Sequence, residues 1–403
     1  MDDHSREIIV LQKVLKSPTG LPPSQRENIW LNVILAVGLL YLFLVGITCL
    51  GGGIKSLGKG VMDVYFASDM NPFLALIVGI LATTLVQSSS VSTAIIVGLV
   101  GASQISVAAA VPMVMGANIG TTVTNTIASL AHSSQDNEFR RAFAAATCHD
   151  FFNYLSVIVL LPIELITRAI FGKGVLETIA HVGAEFTMGA EGGKFKSPLK
   201  ASFKAGKKVV EGGLETLGFD DKALHIALAL AGGFIILVTL TLIVKVMKGL
   251  VTSRLERYVN RVLGSGGFVA IVVGIILTVM AQSSSITTSV MVPLAGAGLV
   301  TLQQIYPITI GANIGTTVTA LIASMAVSGD AAMAARQVAI VHLAFNLAGI
   351  LIWFVPQATR KVPLAAANWM ADIGAKSKRN AILYVFGAFY IIPAIIFIIA
   401  EAI

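Results

Sequence analysis

Gln87-Ser88-Ser89-Ser90-Val91-Ser92-Thr93, followed by Gly116-Ala117-Asn118-Ile119-Gly120-Thr121-Thr122, recurs almost letter for letter further along the chain. The second copy reads Gln282-Ser283-Ser284-Ser285-Ile286-Thr287-Thr288, then Gly311-Ala312-Asn313-Ile314-Gly315-Thr316-Thr317. Both parts lie at one offset, 195 residues, from Gln87 to Gln282 and from Gly116 to Gly311. Each copy is embedded in apolar text, where hydroxyl and amide groups are costly unless they have partners or ligands. A polar cluster repeated at fixed spacing marks one site assembled from two copies of one unit.

The surrounding composition says what that apolar text is. Of 403 residues, 56% are hydrophobic and only 12% charged, with a mean hydropathy of +0.85. Soluble domains carry about 25% charged residues. The chain therefore reads as an all-α polytopic membrane protein, with spanning-length apolar runs starting near Trp30, Leu224 and Ile382 and others between. Residues 1–29 are charged, contain Pro22 and Pro23, and do not have the form of a cleavable signal peptide. The run 30–50 is expected to be an uncleaved first anchor. The net charge of +7 does not imply nucleic-acid binding, because Lys and Arg collect in loops, where they set orientation. The two cysteines, Cys49 and Cys148, lie in apolar runs, and no Asn-x-Ser/Thr sequon occurs. Both features fit a bacterial inner-membrane protein.

The repeat is wider than its motifs. Phe73 matches Phe268 and Gly79 matches Gly274 at the same offset, while His149-x-x-Phe152-Asn153 matches His342-x-x-Phe345-Asn346 two residues closer. This places repeat one at 30–162 and repeat two at 224–356. The expected order in each is a span, an apolar pair interrupted by the QSSS cluster, a segment broken at Gly-Ala-Asn-Ile-Gly, and a span carrying His-x-x-Phe-Asn. Each arm beside QSSS has only about 14 residues against the roughly 20 needed to cross, so a re-entrant hairpin fits. Segment 245–261 holds Lys245, Lys248, Arg254, Arg257 and Arg261, whereas its counterpart 51–70 holds only Lys55 and Lys59. That asymmetry puts the N-terminal segment 1–29, 245–261 and 357–380 in the cytoplasm and 51–70 outside, which makes the repeats inverted. The linker 163–223 is then an external loop or surface helix, and 357–403 a basic loop followed by one extra C-terminal helix.

Neutral oxygens of hydroxyls, side-chain amides and backbone carbonyls suit a hard cation such as Na+. Helix N-termini at a hairpin tip attract anions, and helix C-termini attract cations. Such a site can hold an oxyanion with its coupling cations and needs no buried arginine. The plain alternative is helix packing by small polar residues, which a lone Ser or Thr would imply and a duplicated cluster does not. His149 and Asn153, and likewise His342 and Asn346, sit at i and i+4 and read as hydrogen-bonding clasps between helices in preference to metal ligands. Asp150 lies inside a span and has no acidic counterpart, since Leu343 follows His342. A membrane carboxylate is a functional candidate; its structural alternative is an ion pair with Arg140, Arg141 or another basic residue. An enzyme reading fails, because the chain has no G-x-S-x-G elbow, zinc spacing or P-loop.

The paired QSSS clusters resemble those of the type II sodium–phosphate cotransporter family, as a bacterial-type member would. So do the runs Val111 to Thr126, Asn137 to Phe143, His149 to Asn153 and Leu160 to Glu164. The resemblance implies a symporter coupling inward Na+ movement to uptake of inorganic phosphate, resident in the lipid bilayer of the inner membrane. Phosphate is expected at Ser88, Ser89, Ser90, Ser283, Ser284 and Ser285, with the two clusters meeting at the centre. Na+, the co-transported ion, is expected at Gln87, Gln282, Asn118, Asn313, Thr121, Thr122, Thr316, Thr317 and Asp150. Electrogenic members resemble Ala144-x-Ala146-x-x-x-Asp150 where electroneutral ones carry Ser, Ser and Gly, which implies three Na+ per divalent phosphate here. The family pattern puts the C-terminus inside, whereas the charge pattern leaves it outside. A symporter for another oxyanion, and an ion channel or structural membrane component, are the rival readings.

Overall fold

The computed structural model describes residues 29–56, 70–130, 136–189, 198–262, 267–329 and 331–402. Most of the N-terminal segment and most of the loop 51–70 lie outside the described residues. Within them the chain is helical and contains no strand. The first half comprises α1 (Ile29–Ser56), α2 (Pro72–Val86), α3 (Ser89–Gly101), α4 (Val107–Thr121), α5 (Val123–Ser129) and α6 (Asp136–Phe171). Then come α7 (Val175–Gly189) and α8 (Pro198–Glu215). The second half comprises α9 (Asp221–Val262), α10 (Gly267–Ala281), α11 (Ser284–Ser289), α12 (Met291–Gly296), α13 (Leu302–Ala326) and α14 (Ala332–Trp353). The chain ends with α15 (Gln357–Lys376), α16 (Lys378–Phe386), a π-helical turn at Gly387–Ile391, and α17 (Ile392–Ala402). Seven helices among the described residues are long and apolar enough to cross a membrane. The polytopic, all-α class follows directly.

The two QSSS segments interrupt helices in the same way. Gln87 and Gln282 both take left-handed backbone conformations, with φ of 56° and 53°. Ser88 and Ser283 are both extended, with φ of −151° and −156°. The chain after the second break turns by 120° from α10 into α11 and α12. Asn71 caps α2 by accepting from the Phe73 amide, and Ser106 caps α4 by accepting from the Ala109 amide. These caps satisfy amides that a helix start would otherwise leave bare.

The Gly-Ala-Asn-Ile-Gly segments correct an expectation. They do not unwind. α4 runs through Gly116 and Gly120 to Thr121 and passes into α5 at Thr122, whose backbone is still right-handed helical, and α13 runs unbroken through Gly311 and Gly315. The glycines serve close approach instead. A Cβ on Gly116 would strike the Leu76 carbonyl and one on Gly79 the Met113 carbonyl, so α2 and α4 cross with their backbones in contact. Gly274 against Ile308 and Gly311 against Ile271 repeat that crossing between α10 and α13. Small residues let membrane helices approach so closely, and dispersion between backbones does the rest. Pro112, inside α4, cannot donate to the Ala108 carbonyl; Arg168 Nη1 donates to it instead, at 3.2 Å.

Two connecting segments are also more structured than a loop. Residues 163–171 prolong α6, and α7 buries Leu176, Ala180 and Ala184 at helical spacing. The Glu164 carboxylate accepts from the Leu176 and Glu177 amides at 2.7 and 3.2 Å, fixing the start of α7. The expected basic loop after 356 is α15, which buries Leu364, Ala367 and Ala371 and packs on α6. Its charges face outward: Arg140 Nε pairs with Asp372 at 2.5 Å, and Arg360 stacks 4.1 Å from the Phe354 ring centre. An apolar stripe at i, i+3 and i+7 outweighs the basic content that marked this stretch as a loop.

Replacing Gly311 with Val is expected to cost at least about 1–3 kcal/mol by overpacking, lowering the unfolding temperature in detergent. Gly38→Ala, where an added Cβ meets nothing, is expected to leave that temperature unchanged or slightly raised. Equal thermal unfolding of Gly311→Val and the parent chain would contradict the close-crossing account.

Candidate functional site

Hydrogen bonds exchanged between the halves dominate the buried centre. Asn313 on α13 presents Oδ1 to His149 Nε2 at 2.5 Å and donates through Nδ2 to Asn153 Oδ1 at 2.8 Å. In the mirror arrangement, Asn118 Oδ1 on α4 lies 3.3 Å from His342 Nε2 and accepts from Asn346 Nδ2 at 3.3 Å. Asn153 Nδ2 also donates to the Asn118 carbonyl at 2.7 Å. Each asparagine of a Gly-Ala-Asn-Ile-Gly motif is thus held by the His-x-x-x-Asn face of the other half, and all six residues are buried. The clasp reading of the histidines describes what is found, and it occupies Asn118 and Asn313. A further bond across the halves joins Asn125 Nδ2 on α5 to Thr288 Oγ1 on α11, at 2.5 Å.

The serines sit at the starts of α3 and α11. Ser89 and Ser90 are buried, as is Ser284, while Ser88, Ser283 and Ser285 are partly exposed. Ser88 Oγ caps α3 by accepting from the Val91 amide at 3.4 Å. Among the described residues no hydrogen bond joins the serines of one cluster to those of the other. Their hydroxyl and amide groups at the start of the 13-residue α3 form a neutral anion-attracting face.

The expected cation ligands divide into three groups. Gln87 is exposed at the break between α2 and α3, whereas Gln282 accepts from Thr319 Oγ1 at 3.0 Å and donates to the Val279 carbonyl at 2.7 Å. Thr121, Thr122, Thr316 and Thr317 each donate to a carbonyl of their own helical turn, at 2.6 to 3.0 Å. Donation leaves the oxygen lone pairs available to a cation. Asp150 is buried and accepts from Thr126 Oγ1 at 3.1 Å and from the Tyr384 hydroxyl at 2.9 Å. Among the described residues the ion pair offered as its alternative is absent. Arg140 is taken by Asp372, and Arg141 donates to the Gly296 carbonyl at the end of α12. Thr126 and Tyr384 were not among the sequence candidates. Tyr384 lies outside the repeats in the final helical segment, where no offset could flag it. Asn125 was visible only as part of the quoted run. No group of three or more His, Cys, Asp or Glu side chains that could bind a metal occurs among the described residues.

Comparisons with known proteins agree with this architecture. The family profile described as "Na+/Pi-cotransporter" matches residues 42–182 and 235–370, one stretch from each half. The chain is 32% identical over 447 residues to "Sodium-dependent phosphate transport protein 2B" of Homo sapiens, covering 91% of this chain and 65% of that protein. It is 33% identical over 435 residues to "Sodium-dependent phosphate transport protein 2A" of Rattus norvegicus, covering 92% and 68%. The rabbit protein of the latter name, from Oryctolagus cuniculus, is 32% identical over 463 residues, covering 98% and 72%. The chain thus spans about two thirds of the length of such relatives, 65% for the human one. No solved structure matches it. With more than half of its length under the profile, in the two stretches that carry the duplicated motifs, the chain belongs to the Na+/Pi-cotransporter family.

Proposed function

We propose that the chain is a secondary active symporter that couples inward Na+ movement to uptake of inorganic phosphate as HPO4 2-. The observation that carries this reading is the matched pair of helix breaks, each a left-handed glutamine followed by an extended serine that opens a new helix. The printed names of the relatives, sodium-dependent phosphate transport proteins, support the choice of ions. In this reading both breaks are tips of re-entrant hairpins within the membrane, and the halves 30–162 and 224–356 are inverted repeats. Ser88, Ser89, Ser90, Ser283, Ser284 and Ser285 border the phosphate. Gln87, Gln282 and the four threonines Thr121, Thr122, Thr316 and Thr317 supply oxygen atoms to Na+. Asn118 and Asn313, committed to the clasps, shape that site without donating to the ion. The membrane is the bacterial inner membrane.

Electrostatics assigns Asp150 its part. A carboxylate held by two hydroxyl donors, with no cationic side chain paired to it among the described residues, offers its oxygens to one more Na+. Three Na+ with one divalent phosphate move one net positive charge inward. A tenfold Na+ gradient supplies about 1.4 kcal/mol per ion, and a potential of 100 mV adds about 2.3 kcal/mol for the net charge. Together these support phosphate accumulation on the order of 10^4-fold.

Purified protein in liposomes is expected to accumulate phosphate against its gradient only under an inward Na+ gradient. Ser90→Leu with Ser285→Leu is expected to abolish uptake while leaving folded protein in the bilayer. Sulfate or arsenate competing as well as phosphate would shift the reading to another oxyanion. Downhill flux indifferent to Na+ would replace symport with a channel.

An inside-negative potential is expected to accelerate uptake by the parent chain. Asp150→Gly is expected to lose that acceleration while retaining some transport. A parent rate unmoved by the imposed potential would contradict the three-Na+ cycle.

A further inference from the structure

The two hairpins carry matching residues at their breaks but use them differently. In the second, Thr278 Oγ1 on α10 donates to Thr287 Oγ1 on α11 at 2.9 Å, and Thr319 on α13 donates to Gln282. Their counterparts at the 195-residue offset are Thr83, Ser92, Thr124 and Gln87. The hydroxyl oxygens of Thr83, Ser92 and Thr124 are buried without a hydrogen-bond partner among the described residues. Thr84 is in the same condition, and its counterpart, Val279, has no hydroxyl at all. Thr83, Thr84 and Ser92 are 0%, 1% and 3% exposed. Thr83 and Thr278 occupy equivalent places, each packed on the second glycine of its Gly-Ala-Asn-Ile-Gly motif, Gly120 and Gly315.

A buried hydroxyl without a partner costs about 1–3 kcal/mol. Three on the two arms of one hairpin, where the other hairpin pairs or omits them, call for something that they bind. Their chemistry narrows the class. Thr83 and Thr84 belong to the last turn of α2, whose dipole end is negative; the Thr83 carbonyl accepts from the Gln87 amide at 2.7 Å, and the carbonyls after it lie where helical partners run out. The set is neutral, since Asp150 is held by Thr126 and Tyr384 elsewhere. Neutral hydroxyl and carbonyl oxygens at a helix C-terminus suit a hard monovalent cation; a divalent one would need carboxylates.

We propose that Thr83, Thr84 and Ser92 form a Na+ site within the first hairpin that the second hairpin lacks. The inference rests on the symport reading and locates one of its coupling ions. It makes the halves inequivalent: the buried hydroxyls between the arms of the first hairpin hold a cation, and the matching pair in the second, Thr278 and Thr287, is closed by its own hydrogen bond.

The test is thermal unfolding of the full chain in detergent, titrated with NaCl against choline chloride at constant ionic strength, alongside Na+-driven phosphate uptake. Thr84→Val removes a partnerless hydroxyl and is expected to unfold no earlier than the parent in choline chloride. The Na+ concentration for half-maximal stabilisation is expected to rise about tenfold in Thr84→Val and in Ser92→Ala, and to stay near the parent value in Thr84→Ser. Thr278→Val, in the second hairpin, is expected to move that concentration less than about twofold. The inference is overturned if Thr84→Val and Ser92→Ala leave the Na+ midpoint where it was, as a bound water would, or if Thr278→Val shifts it equally. Absence of Na+ stabilisation in the parent chain overturns it too. A parent chain that accumulates phosphate normally while Thr84→Val keeps its midpoint rejects this site alone; a parent chain without Na+-driven uptake rejects the symport reading.

Discussion

Asn118 and Asn313 each reach out of their own half of the chain to satisfy a histidine and an asparagine of the other. In a water-free interior a side-chain amide must find its partners within the protein, or its burial costs several kcal/mol. That requirement locks the halves together. α13 and α14 of the second half pack against α3, α4 and α6 of the first, so each polar motif lies where the opposite half can complete it. The backbone crossings at Gly79, Gly116, Gly274 and Gly311 bring α2 to α4 and α10 to α13 closely enough to hold the asparagines at that depth. The helix breaks that carry the serines follow directly on α2 and α10, the helices that make these crossings.

Much of this was legible in the duplicated text. Apolar arms too short to span, joined by Gln-Ser-Ser-Ser, announced helix breaks, and both glutamines are found in the left-handed conformation that ends a helix. The i and i+4 spacing of His149 with Asn153 announced a clasp, and that clasp exists. Gly-Ala-Asn-Ile-Gly misled, because glycine serves two purposes, backbone freedom and backbone contact. A single sequence does not say whether another helix lies against it. The stretch after 356 misled for a related reason: its basic residues are conspicuous, but Leu364, Ala367 and Ala371 form the face that decides its packing. The partners of Asp150 were out of reach, since Tyr384 is 234 residues away and no repeat pairs it with anything.

The division of polar groups into committed and available ones gives the site its chemistry. The asparagines and histidines are committed to the clasps, and Arg141 is spent on the end of α12. The serines at the start of α3, the lone pairs of the threonines, the exposed Gln87 and the carboxylate of Asp150 are what a ligand can use. None of these is a cation. In the proposed symport, an anion bound there would be held by helix amides and by the positive ions that accompany it, which would link the affinities for phosphate and for Na+.

That linkage is measurable without transport. Phosphate binding to the purified chain, followed by titration calorimetry at a series of NaCl concentrations balanced with choline chloride, reads it directly. The proposed symport predicts that phosphate affinity rises with Na+, and that saturating phosphate raises Na+ affinity by the same factor. Phosphate binding of equal strength with and without Na+ would contradict it.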